Sequence, residues 1–127
     1  MNQRSALMAG VLFAGIGVAI GAFGAHALRP LLEANSRTET FELAVRYQFY
    51  HSFAIMFAGM LMFHFPSPMI NRAVVCFVVG IPVFSGSLYA LSLTGARWLG
   101  AITPIGGVLF IAGWLLLFLS VNAKRSH

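Results

Sequence analysis

Four apolar stretches, each long enough to cross a bilayer, take up most of the chain and dictate what it can become. A helix needs roughly 20 mostly apolar residues to cross about 30 Å of hydrocarbon. Such stretches run from about Ala6 to Leu28, Phe41 to Phe65, Ala73 to Leu93 and Leu99 to Val121. The first, third and fourth carry no charged residue, whereas the second opens with Glu42, Arg46, Gln48 and His51. Backbone in lipid must satisfy its own hydrogen bonds, which makes these runs helices. The connections Arg29–Thr40, Pro66–Arg72 and Thr94–Trp98 are short, so successive helices become antiparallel neighbours. The expected architecture is an all-α integral membrane protein, one domain over residues 1–127, with four transmembrane helices in an up-down-up-down bundle.

Composition points the same way. The chain is 59% hydrophobic and only 9% charged, with 8 Lys and Arg against 3 acids. A soluble domain carries about 25% charged residues. A soluble enzyme, a disordered segment and a nucleic-acid binder are therefore excluded despite the basic balance. Arg4, Arg72, Lys124 and Arg125 fall on one side of the expected bundle. Arg29, Arg37 and Arg97 fall on the other, with Arg46 at its edge. Counting Lys and Arg in this way favours both termini in the cytoplasm. Arg4 followed by an apolar run and Ala25-His26-Ala27 imitates a signal peptide. The run of about 19 residues exceeds the usual 7–15, so it reads as a retained first span. Cys76 is the sole cysteine, which rules out an intramolecular disulfide and leaves the compartment unspecified by redox.

The first span carries a seam of small residues, Gly10, Ala14, Gly17, Gly21 and Gly24, spaced alternately by four and three. A second small flank holds Gly15, Ala19, Ala22 and His26. Small residues let membrane helices approach closely. The seam therefore suits packing inside the bundle or against a second copy or partner, and the two flanks together suggest two neighbours. In the second span Ala44, Gln48, His51, Ser52 and Ile55 share a face, with Phe49, Phe53 and Phe57 opposite. Glu42 and Arg46 form an i,i+4 pair at headgroup level. Tyr89 and Trp98 read as interfacial anchors, and Pro82 and Pro104 as kink sites in the last two spans.

Intramembrane polar residues face the bundle interior or a cavity. His26 and His51 are expected at similar depth, near Arg46, Tyr47, Gln48 and Tyr50. Three readings stay open for this cluster. It glues helices together; it forms a small-molecule, lipid, quinone or proton-linked site between the first two spans; or it holds a haem between His26 and His51. The sequence contains no metal-ligand spacing, no Ser-His-Asp set, no phosphate-binding glycine loop and no carboxylate inside a span below the headgroup-level Glu42. No catalytic residue, metal or cofactor is therefore assigned beyond the haem alternative.

At GAFGAHALRP (Gly21–Pro30) and AVRYQFYHSFA (Ala44–Ala54), the chain resembles the YgdD/YwdK family of small bacterial inner-membrane proteins. That family is a domain of unknown function, similar to the eukaryotic transmembrane protein 256 group. The resemblance covers essentially the whole chain. It implies a four-helix membrane fold and marks the stretches around His26 and Arg46–His51 without giving them a role. Two functions follow as expectations. The first is a non-enzymatic inner-membrane protein acting as an oligomer or as an accessory subunit of a larger assembly. The second is a permease-like or ligand-binding unit using the polar cluster.

Overall fold

The computed structural model describes residues 1–123; Lys124, Arg125 and His127, counted in the charge balance above, lie outside them. Among the described residues there is no strand. The helices are α1 (Gln3–Ala25), α2 (Arg29–Ala34), α3 (Thr38–Leu61), α4 (Pro68–Ile81), α5 (Ser87–Thr94) and α6 (Thr103–Asn122). A π-helical turn, Pro82–Gly86, joins α4 to α5, and a 3-10 turn, Arg97–Ala101, precedes α6. Among the described residues three helical stretches are long and apolar enough to cross a membrane: Gln3–Ala25, Pro68–Thr94 and Arg97–Asn122.

Local chemistry sets the ends. The Asn2 side chain accepts from the Ser5 N–H at 2.8 Å, capping α1. Ser67 caps α4 by accepting from the Met69 N–H, and Pro68 fills the first helical position, where its missing donor costs nothing. α4 therefore starts earlier than the expected Ala73. α1 stops at Ala25, short of the expected Leu28: the chain turns at His26, and the Leu28 N–H closes back onto the Phe23 carbonyl at 2.9 Å. The connection after it is not a plain loop, because Pro30 opens the short helix α2. α2 ends with Ser36 in the left-handed region at φ 54°. There the Arg37 N–H bonds the Leu32 carbonyl and the Ser36 N–H bonds the Glu33 carbonyl, the closure that glycine usually makes.

The two prolines differ from their expected role. Pro104 lies in the first turn of α6, where no kink follows. Pro82 sits where α4 passes into α5, and the helix absorbs its missing N–H by widening into the π-turn rather than breaking.

The small residues fix the packing. α1 lies antiparallel to α3: Gly10 abuts Ser52 and Met56, Gly17 abuts Gln48 and Phe49, and Gly24 abuts Phe41. From the other side, Gly59 of α3 receives Ala6 and Leu7. α4 and α6 pair in the same manner, with Gly80 against Phe110 and Gly113 against Phe77. α3 joins the two pairs, contributing Ala54, Ile55 and Ala58 to a core with Ile70, Val74, Phe77 and Phe110. α1 thus has α3 as its one long neighbour, not two. Its second flank, Gly15, Ala19, Ala22 and His26, is exposed.

Candidate functional site

α3 is the most polar of the long helices, and its buried polar side chains are answered one by one. The Gln48 amide is 2% exposed. It donates through Nε2 to the Phe13 carbonyl of α1 at 2.8 Å. Its Oε1 accepts from the Tyr89 hydroxyl of α5 at 2.6 Å. His51, 4% exposed, lies flat on Phe110 with ring centroids 3.5 Å apart. Its Nδ1 meets the Tyr47 carbonyl at 2.8 Å, and the Trp114 indole N–H donates to its Nε2 at 3.1 Å. A carbonyl can only accept and an indole only donates, so the ring is the neutral tautomer with its proton on Nδ1. Ser85, in the π-turn, donates to the Ala44 carbonyl at 2.7 Å. Ser87 shares a hydrogen bond with Thr103 at 2.6 Å. Every buried side-chain polar atom among the described residues has a partner.

The expected cluster is therefore divided. Gly24 meets Phe41, which sets the level of the adjacent His26. His51 lies ten residues further along α3, about 15 Å deeper at 1.5 Å per residue. His26 is exposed at the end of α1, while His51 faces α4 and α6. The similar depth expected of them fails because α3 meets the last turn of α1 already at Phe41, so His51 lies ten residues into the shared span while His26 marks its end. The two imidazoles do not converge, and both His51 nitrogens are engaged; a haem held between them does not fit this arrangement. Tyr47 stacks on Phe84 at 4.8 Å, and Tyr50 is 53% exposed. Together with His51 and Trp114 they line a pocket of about 570 Å³ between α3 and α6.

A different cavity lies between the first two long helices. A groove of about 520 Å³ is walled by Gly21, Gly24 and Ala25 of α1, Leu32 of α2, and Phe41 and Val45 of α3. Arg29, Glu33, Thr38, Glu42 and Arg46 line it as well. Arg29 Nε bonds Glu33 Oε1 at 2.9 Å. The expected Glu42–Arg46 ion pair is absent: among the described residues Arg29–Glu33 is the one salt bridge. The seam residues Gly10, Gly17, Gly21 and Gly24 all face α3, and Ala14 is half-buried beside them.

Sequence reasoning placed Gln48 inward but missed its partner. Tyr89 is half-buried and bonded to Gln48, not an interfacial anchor, whereas Trp98 is 67% exposed. Trp114, the indole partner of His51, carries no local sequence signal of that role. The available signal was the inward glutamine itself, which in lipid demands a donor and an acceptor from neighbouring helices.

Long apolar helices, glycine-mediated packing and paired buried polar groups define a small all-helical, multi-pass membrane protein. A family model described as "Protein of unknown function (DUF423)" matches residues 20–107. The chain belongs to this family. The UPF0382 membrane protein of Staphylococcus haemolyticus is 45% identical over 114 residues, covering 90% of this chain and 92% of that protein. The counterpart in Staphylococcus aureus is 42% identical over the same length. The UPF0382 inner membrane protein YgdD of Escherichia coli is 35% identical over 126 residues, covering 98% of this chain and 95% of that one. No solved structure matches the chain.

Proposed function

We propose that this chain is a four-span, non-enzymatic protein of the bacterial inner membrane that holds one amphiphilic bilayer molecule in the groove between α1, α2 and α3. The carrying observation is the groove itself, which joins an apolar wall to a charged rim. A lipid headgroup with the first carbons of its chains presents the same two chemistries. Support for a fourth crossing comes from α3, which runs beside the apolar α1 from Phe41 to Gly59. A helix lying along a membrane span must cross with it, and the charges of α3 are confined to its opening turns at Glu39, Glu42 and Arg46. Hydrogen bonds from α3 to α1, α5 and α6 favour a single domain. The reading as an oligomer is weakened, because the glycine seam that motivated it is filled by α3.

Four crossings put both termini on one side, and the basic residues favour the cytoplasm. Green fluorescent protein fused to either end is therefore expected to fluoresce, and alkaline phosphatase at the C-terminus to be inactive. An active phosphatase fusion would reverse the orientation, and opposite results at the two ends would leave three crossings. For the groove, native mass spectrometry after mild-detergent extraction is expected to find one retained lipid per chain. Val45→Phe, on the groove wall, should lose it, and Ile111→Phe, on an exposed face of α6, should keep it. Equal retention in both variants would place the lipid elsewhere.

A further inference from the structure

The charges around the groove specify more than a generic amphiphile. Arg29 and Glu33 on α2 neutralise each other at 2.9 Å. Across the groove Glu42 and Arg46 stand four residues apart on α3, exposed and unpaired with each other. The lining thus sums to zero net charge, two cations with two anions. A purely anionic headgroup would meet two carboxylates there, and an uncharged one would leave both Glu42 and Arg46 unanswered.

Order along the bilayer normal also matters. Entering the membrane, α3 presents Glu42 first and Arg46 one turn deeper, about 6 Å at 1.5 Å per residue. In a phospholipid the phosphate lies next to the glycerol and acyl chains, and the headgroup amine lies outside it. We propose that the groove takes a zwitterionic aminophospholipid, its phosphate at Arg46, its primary ammonium at Glu42 beside Phe41 and Val45, and its acyl chains running on past Arg46 toward the bilayer centre. This rests on the groove being a lipid site, as argued above. Guanidinium–phosphate and ammonium–carboxylate contacts are charge-assisted hydrogen bonds, stronger than neutral ones. The ammonium must carry N–H donors to make the second, which separates an ethanolamine headgroup from a choline one of the same net charge.

The test uses the full-length protein reconstituted in vesicles of equal parts phosphatidylethanolamine, phosphatidylcholine and phosphatidylglycerol. Lipids retained after mild extraction are counted by native mass spectrometry. Several-fold enrichment of the ethanolamine lipid over both others is expected. Glu42→Gln should erase its advantage over the choline lipid. Arg46→Gln should lower retention of all three phospholipids. Both side chains are exposed, and an unchanged circular dichroism spectrum and elution volume identify variants that fold. Enrichment of phosphatidylglycerol, or equal retention of the three, overturns the headgroup assignment while the groove still holds lipid. Retention of no lipid by the unmodified chain overturns both readings together.

Discussion

Replacing Gly106 with alanine is expected to destabilise the folded protein by about 1–3 kcal/mol, the usual penalty for forcing a methyl group into a closed core. A Cβ on Gly106 would lie 2.5 Å from the Phe84 nitrogen, 2.7 Å from its Cα and 2.6 Å from its Cβ. Two of these atoms are backbone, and they belong to the π-turn, so no rotamer change relieves the clash. Either α6 moves off the turn or the turn reshapes. Both disturb the Ser87–Thr103 hydrogen bond beside it. Gly15→Ala is the matched comparison, because a Cβ there meets nothing within 4 Å. It should leave stability unchanged or raise it slightly, since glycine inside a helix costs roughly 0.5–1 kcal/mol relative to alanine. Unfolding in mixed detergent, followed by circular dichroism, reads both. Equal stability of the two variants would show that α6 does not close on the π-turn.

The second large effect is expected at Gln48. Gln48→Leu keeps the volume roughly constant but removes the amide bond to the Phe13 carbonyl, which keeps its own helix partner, and strands the Tyr89 hydroxyl. Interhelical hydrogen bonds in membranes average about 0.6 kcal/mol and reach about 1.7 kcal/mol. Losing two of them puts the expected cost at about 1–3 kcal/mol. Tyr89→Phe removes one of the two and should cost less. The double variant should fall short of the sum, because the Tyr89 hydroxyl has already lost its partner in Gln48→Leu. Strict additivity would mean that the two side chains do not act on each other.

Much of the packing is legible in the one-dimensional pattern. Gly10, Gly17 and Gly24 repeat with the period of a helix face, and that face is where α3 lies. The inward direction of Gln48 and His51 is legible for the same reason. What those side chains bond is not, because it depends on how helices distant in sequence are set beside each other. Trp114 is 63 residues from His51, and no local signal ties an indole on α6 to an imidazole on α3. The depth of His26 is misread for a geometric reason. The second span packs against the first from Phe41 onward, so a histidine ten residues along it lies well below one at the end of α1. The groove is illegible because its rim is made by α2, a six-residue helix whose amphipathic pattern is too brief to detect. The sequence suggests a charge pair between Glu42 and Arg46, but the fold pairs Arg29 with Glu33.

The π-turn at Pro82–Gly86 has a consequence for helical phase. A turn that closes on the fifth residue instead of the fourth holds one residue more than the regular repeat. Every position beyond it is therefore displaced about 100° around the axis from where an unbroken α-helix would carry it. Phe77 and Gly80, before the step, meet α6. Tyr89, after it, looks toward Gln48. One span thus behaves as two rods of different azimuth, and the proline that sets the offset decides which neighbour each half can address.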